Sequence, residues 1–263
     1  MDMGLQDKIA VVTASSSGLG MASAMGLARE GAKVVITGRD EERLEKARAA
    51  IAAETGNDPV AISMDVTRAD DIDSLIKQVI DKFGTIHVLV NNAGGPPPGF
   101  FWETTDEEWQ KAFELTLMSS IRLTRGFLPC MRDQKWGRII NITSSTVKQP
   151  INELLLSNSL RLGVIGWAKT LANQLASEGV LVNNVCPGWT KTERVTGLTE
   201  ARAANKGTTA GEEEAAIASG IPLGRLGTPE EFANMVVFMA SERASNITGT
   251  TIQVDGGATA GFY

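Results

Sequence analysis

The sequence predicts an α/β fold: a single doubly wound parallel sheet of about seven strands with helices on both faces. Three observations point to it. Short apolar runs alternate with amphipathic segments along the whole chain. Several of these runs are β-branched and nearly continuous, as strands buried on both faces are. Repeated strand–helix alternation needs crossover connections, and crossovers give parallel strands covered by helices.

The strand candidates, in order, are KIAVVT (8–13), AKVVIT (32–37), PVAISMD (59–65), HVLVNNAG (87–94), GRIINITS (137–144), VLVNNVCPG (180–188) and TTIQVDGG (250–257). Between the third and fourth, Ile72, Leu75, Ile76, Val79, Ile80 and Phe83 fall on one helical stripe, and Asp70 is a fair cap for that helix. The 263 residues fit one α/β domain spanning 1–263, since such domains run to about 250 residues. Residues 190–228 break the rhythm with a Thr-, Gly-, Ala- and Glu-rich stretch that has no clear strand. It reads as a surface excursion with helical pieces, or as a substrate lid over a site at the carboxyl edge of the sheet.

Composition narrows the partners. A formal charge of −6 argues against a nucleic-acid surface or an anionic membrane. No apolar run reaches the roughly 20 residues that span a bilayer. The opening MDMGLQDKIAVV lacks the basic start and apolar core of a signal peptide, so a cytoplasmic protein is expected. Cys130 and Cys186 are the two cysteines, which suggests neither a disulfide framework nor a zinc site, and no metal is expected.

The segment VVTASSSGLGMASAMGLAREGA joins the first strand to the first helix. Gly18 and Gly20 can let the backbone approach a pyrophosphate that faces helix N–H groups. The segment resembles the T-G-x-x-x-G-x-G motif of the short-chain dehydrogenase/reductase family, with Ala14 in place of the first glycine. NNAG at 91–94, PG at 187–188, VDGG at 254–257 and IPLGRLGTPEEFA at 221–233 match that family in order and spacing, so the resemblance covers essentially the whole chain. It implies a Rossmann-type fold and a dinucleotide held by Thr13, Ser15, Ser16, Ser17, Gly18, Leu19 and Gly20 around the phosphates, with the hydroxyls and N–H groups of Ser15, Ser16 and Ser17 either facing the phosphates or simply satisfying the turn. It further implies Asp65 and Val66 at the adenine, Asn92, Ala93 and Gly94 on the nicotinamide side, and Pro187, Gly188, Thr190 and Thr192 around the nicotinamide ribose and carboxamide.

The second strand ends ITGRD. Sites that prefer NAD place an acid at this strand end to hold the ribose hydroxyls. The matching position here is Gly38, followed by Arg39, whose guanidinium can pair with a 2′-phosphate. NADP(H) is therefore favoured over NAD(H). Asp40 is the competing acid, one position too far along; alternatively Arg39 and Asp40 are simply a solvated helix start.

Hydride transfer to a carbonyl creates an alkoxide, which must be stabilised and protonated. The family resemblance implies four residues for this work: a polarising serine, a proton-donating tyrosine, a lysine that lowers the tyrosine pKa and holds the ribose, and an asparagine that anchors a water relay. Ser144 stands at the serine position, with Ser145 as the neighbouring alternative. The tyrosine, lysine and asparagine positions hold Ser157, Arg161 and Thr116. The chain's one tyrosine is Tyr263, which in some family members would lie at a subunit contact. A serine hydroxyl is a far weaker acid than a phenol of pKa about 10. Arginine keeps its proton and can act electrostatically or grip ribose hydroxyls. Lys148, Asn152 and Glu153 lie in the Ser144–Ser157 loop, where Lys148 or Glu153 is a displaced acid or a plain surface charge. His87, the only histidine, opens the fourth strand on the side remote from the site and reads as structural, which leaves the serines without a hydrolase partner. Trp189 is a pocket wall or core.

Two functional readings follow. One is an NADP(H)-dependent oxidoreductase of a small-molecule carbonyl or alcohol with a reworked proton relay. The alternative is a nucleotide-binding protein with a sensor or partner role and no redox turnover. Different chemistry on the same scaffold is a third reading with no positive support in the residues. The resemblance also implies a homo-oligomer, dimer or tetramer, in which helices at about 107–130 and 157–177 pair across an interface.

Overall fold

The structure, a computed structural model, describes residues 2–261. Seven parallel strands form one sheet in the order β3-β2-β1-β4-β5-β6-β7: β1 (Ile9–Val12), β2 (Lys33–Gly38), β3 (Val60–Ser63), β4 (Val88–Asn91), β5 (Gly137–Ile142), β6 (Val180–Pro187) and β7 (Thr251–Val254). The predicted fold class is correct, as is each strand candidate. Six of the seven strands are shorter than the apolar runs that announced them, and β2 keeps its run's length one residue further on. β4 stops at Asn91, and the rest of NNAG turns away from the ladder to form the floor of a cleft.

The helices are α1 (Gly18–Arg29), α2 (Glu41–Thr55), α3 (Ala69–Phe83), α4 (Asp106–Phe113), α5 (Ser119–Asp133), α6 (Leu155–Leu175), α7 (Glu193–Lys206), α8 (Ala210–Ser219) and α9 (Pro229–Ala240). Strand alternation sorts the core into two layers. Ala10, Val12, Val34, Ile36, Val88 and Val90 pack with residues of α1, α2 and α9. Val11, Val35, Leu89 and Ile139 pack with residues of α3, α5 and α6 on the other face. Fully burying such side chains contributes about 1.5–3 kcal/mol each. The α3 stripe behaves as predicted, with Ile72, Leu75 and Val79 buried. Its cap does not: Arg68 is the N-cap residue, and Asp70 and Asp71 sit in the first turn, where their charge favours the positive end of the helix.

A continuous helical rod runs from Asp106 to Asp133, opened by a Thr105/Glu108 capping box and interrupted at Glu114–Met118 by one π-helical turn. The strand order reverses between β1 and β4, so the carboxyl ends of these strands open a crevice of the kind in which α/β sheets bind ligands. Among the described residues no helix is long and apolar enough to cross a membrane.

Candidate active site

The turn after β1 is held by its own polar groups. Ser15 is fully buried; its Oγ donates to Val12 O at 2.7 Å and accepts from Thr37 N at 3.0 Å, while its N–H donates to Thr37 O at 2.7 Å. Of the two roles open to Ser15, its hydroxyl and N–H here take that of satisfying the turn. Thr13 is likewise buried, donating its hydroxyl to Asn92 O at 2.7 Å and accepting from Asn92 N at 2.9 Å. Asn92 Nδ2 donates back to Thr13 O and Ala14 O at 3.2 and 3.0 Å, binding the turn to the β4 loop.

Ala14 adopts φ +46°, the left-handed region that favours glycine. The family's glycine at this position is thus explained by backbone geometry, and this chain accepts the strain. Gly20 is required for space: a Cβ there would lie 2.5 Å from Ala14 O and 2.6 Å from Asn92 Nδ2. Gly18 has φ +57° and faces Thr192 Cγ2. Ser17 is the N-cap of α1 but its side chain makes no capping bond, so the first N–H groups of α1 point outward without one. Ser16 lies against Gly38, and Leu19 packs on the core.

At the end of β2, Arg39 is exposed, with Nη1 3.8 Å from Asp65 Oδ2. Asp65 Oδ1 accepts from Thr67 N and Oγ1. Val66 is buried. Asp40 is the N-cap of α2 and accepts from Arg43 N at 3.0 Å, which commits the competing acid to the helix. Gly94 has open space above it. Across the cleft, Gly188 N donates to Val254 O at 3.0 Å, and a Cβ on Gly188 would strike Asp255. Pro187 ends β6, Thr190 is buried and bridged to Gly227, and Thr192 caps α7.

The catalytic end gathers around Arg161. Its Nε donates to Ser157 Oγ at 3.2 Å, and its Nη1 donates to Ile142 O and Thr143 O at 3.0 and 2.8 Å. The residue is 9% exposed and no described carboxylate pairs with it. Burial lowers its pKa to about 10, helped by the charge of Arg194 and opposed by Cys186. Ser144 stands just beyond β5, its Oγ accepting from Thr146 N at 3.2 Å. Thr116 lies in the π-helical turn, buried, with an Oγ1 that meets no partner. Beneath Arg161 is a cavity of about 20 Å³ bordered by Thr116, Asn91, Asn92 and Asn141. Asn91 Oδ1 is also unpartnered. Two unsatisfied polar atoms and this volume suit one bound water.

The flanking candidates resolve. Glu153 is ion-paired with Arg202, so it is a structural charge. Trp189 lies under the Arg202 guanidinium at 4.8 Å. Lys148 is half-buried and Asn152 exposed. His87 accepts from Ile9 N at 3.0 Å at the amino end of the sheet, away from the cleft, and burial lowers its pKa. Tyr263 lies outside the described residues. Among the described residues no group of three or more His, Cys, Asp or Glu could hold a metal.

Two features were not read from sequence. Arg194, on α7, donates to Gly95 O and Pro96 O at 3.2 and 2.8 Å, latching residues 190–228 to the loop after β4. An asparagine chain crosses the sheet beneath the cleft: Asn91 Nδ2 donates to Asn141 Oδ1, Asn141 Nδ2 donates to Asn184 Oδ1, and Asn184 Nδ2 donates to Thr251 Oγ1. The shared register of NNAG, IINI and VNNV was the available signal, since Asn91, Asn141 and Asn184 are direct neighbours.

Residues 13–259 match the family model described as enoyl-(acyl carrier protein) reductase. The chain belongs to the short-chain dehydrogenase/reductase family. The 3-oxoacyl-[acyl-carrier-protein] reductase of Vibrio cholerae is 35% identical over 255 residues, covering 97% of this chain and 98% of that one. The enzyme of the same name from Haemophilus influenzae is 36% identical over 253 residues, 96% and 98% of the two chains. The crystal structure of L-sorbose reductase from Gluconobacter frateurii with NADPH and L-sorbose superposes with a TM-score of 0.95, 34% identity and 100% coverage of both chains.

Proposed function

We propose that this chain is an NADP(H)-dependent oxidoreductase that interconverts a small-molecule carbonyl and alcohol with a non-standard proton relay. The carrying observation is the buried Arg161 guanidinium, hydrogen-bonded to Ser157 Oγ beside the end of β5 and above a one-water cavity.

The residues fit a dinucleotide. Gly20 leaves no Cβ in the turn, the first N–H groups of α1 lack a side-chain cap, Gly94 faces open space, and Gly38 lies beside Ser16 without an acid at the strand end. Gly18, Ser16 and Ser17 would hold the phosphates, and Arg39 the 2′-phosphate. Thr190 and Thr192 with Pro187 and Gly188 would border the nicotinamide ribose. NADPH in the L-sorbose reductase structure supports the cofactor preference. When bound, the dinucleotide supplies or accepts the hydride. Ser144 Oγ donates to the substrate oxygen. Arg161 remains a cation at neutral pH and stabilises the developing alkoxide. Ser157 orders a water with Arg161, and that water passes a proton from bulk solvent to the alkoxide, so that it is left as water. Thr116 and Asn91 anchor a second water in the cavity, replacing the family's asparagine. Residues 190–228 close over the substrate as a lid.

Substrate-dependent NADPH oxidation over a carbonyl panel tests this reading, with losses expected on Ser144→Ala and Arg161→Met. Ser157→Ala should change the solvent isotope effect; an unchanged effect would remove Ser157 from the relay. One observation favours the alternative, a nucleotide-binding protein without turnover: Arg161 already gives its Nε and Nη1 to protein acceptors. Saturable NADPH binding with no turnover across the panel would establish it. A homo-oligomer in which helices at about 107–130 and 157–177 pair across an interface is also proposed, supported by the exposed Leu162 on α6; a monomer by light scattering at micromolar concentration contradicts it.

A further inference from the structure

The cleft holds cations without resident anions. Arg161 and Arg194 flank the loop that follows β4: Arg161 borders the cavity beneath Asn92 and Ala93, and Arg194 lies on Gly95 and Pro96. Every protein acceptor of both guanidiniums is neutral, a hydroxyl or a backbone carbonyl. The nearby carboxylates Glu193 and Glu153 are already paired, with Arg43 and Arg202. Guanidinium offers five N–H donors. Arg194 commits one from each terminal nitrogen, leaving Nε and one N–H on each terminal nitrogen with no protein acceptor among the described residues. Arg161 keeps Nη2. Lys148 adds a third charge, since the Cys186 thiol lies within the field of both Lys148 and Arg161. This group of positive charges sits in a chain whose net charge is −6.

Burial, and after it the charge of Arg194, lowers the Arg161 pKa, and burial lowers that of Arg194; an anion beside a partly desolvated cation favours its charged form. Gly95 makes the arrangement possible, because any Cβ there would collide with the Arg194 guanidinium. We infer that Arg194, backed by Arg161, forms a carboxylate subsite, so that the carbonyl or alcohol substrate is an oxo or hydroxy acid held by its acid group against the loop at Gly95. Arg194 would bind the carboxylate through charge-assisted hydrogen bonds, roughly twice as strong as neutral ones. This rests on the proposed oxidoreductase reading of the same cleft, deepening it to a substrate class. The cofactor pyrophosphate is the other anion that Arg194 could meet.

The test is a binding comparison that needs no turnover. The protein saturated with NADPH is titrated calorimetrically with a panel of short 2- and 3-hydroxy acids, each paired with its primary amide, which form dead-end complexes. The best acid should bind at least about tenfold more tightly than its amide, as one charged hydrogen bond implies. Arg194→Met and Gly95→Ala should each erase that ratio, and Arg194→Lys should keep most of it. A merely loosened lid would weaken acid and amide alike and leave the ratio intact. Equal binding of acids and amides by the unaltered protein overturns the inference without any variant. So does an Arg194→Met protein that loses NADPH affinity while its acid preference persists, which assigns Arg194 to the pyrophosphate. Acid-selective binding with no oxidation of any hydroxy acid by NADP upholds the subsite and removes the oxidoreductase reading instead.

Discussion

Arg161 reaches back one turn of α6 to hydrogen-bond Ser157, so the two side chains act as one unit. The unit also ties α6 to the end of β5 through Ile142 O and Thr143 O. Burial moves the Arg161 pKa down to about 10. Because the folded value lies below the ordinary one, the unfolded chain binds this proton more tightly. The buried cation is therefore a constant cost below pH 10 that is relieved as pH rises through the folded pKa. Catalysis that needs the cation runs the other way: it should be level from pH 7 to 9 with respect to this group and fall as pH passes about 10. Arg161→Lys should shift that alkaline limb downward, since a buried ammonium loses its proton more readily. A pH–rate profile checks this, and an alkaline limb that stays in place in the lysine variant takes Arg161 out of the reaction.

Ala14 holds φ +46° in a turn the family builds with glycine. The left-handed region costs a non-glycine residue about 1–2 kcal/mol, against a loss of about 0.4–1 kcal/mol when glycine loosens the unfolded chain. Ala14→Gly should therefore stabilise the protein by up to about 1 kcal/mol, a rise of roughly 2–4 °C in thermal midpoint for a chain of this size. A lower midpoint would show that the alanine methyl makes a compensating contact.

The asparagine chain beneath the cleft predicts a stability effect carried by side-chain pairing alone. Asn141 both accepts from Asn91 and donates to Asn184, all three buried. Asn141→Ala orphans Asn184 Oδ1 from its donor and should cost about 2–4 kcal/mol, combining an unsatisfied polar group with a small cavity. Urea unfolding should show a lower midpoint at unchanged slope.

Much of this architecture was legible in sequence, because the sheet buries both faces and strand hydrophobicity was continuous. Its boundaries were not. NNAG and VDGG extend the apolar runs by composition, yet Asn92 and Asp255 use their side chains to hold loops. Ser15 showed the same ambiguity: a serine in a glycine-rich turn can face a phosphate or satisfy its own backbone, and only the Thr37 contacts decide it. Asp70 looked like a cap because an acid in the first turn and an acid at the cap share a sequence signature. Arg194 was invisible because its partners, Gly95 and Pro96, lie almost a hundred residues earlier and offer only backbone carbonyls.

Cofactor selection should rest on Arg39. Its guanidinium is exposed and only loosely associated with Asp65 at 3.8 Å, so it is available to a 2′-phosphate. Arg39→Ala should weaken NADPH binding about tenfold or more and leave NADH binding within about twofold, as loss of one charged hydrogen bond predicts. Fluorescence titration of both cofactors measures the split. A parallel loss for both would mean that Arg39 supports the α2 start and not the phosphate.

The relay can be tested by putting the missing acid back. Ser157 is buried, so a tyrosine there must extend toward the cleft, and the added volume should cost about 1–3 kcal/mol of stability. Tyrosine beside Arg161, whose guanidinium is already committed to Ile142 O and Thr143 O, should gain little. Paired with Arg161→Lys, the phenol gains a neighbour of the kind the family uses, and its pKa falls toward the working range. A positioned acid contributes about 10²–10⁴-fold to a proton-transfer step. The Ser157→Tyr, Arg161→Lys double variant should therefore turn over a substrate of the unaltered protein at least about tenfold faster when protonation limits the rate, while each single variant does not. If the double variant is no faster and remains folded with NADPH affinity intact, proton delivery is not what limits this site, and the water held by Ser157 and Arg161 already supplies it.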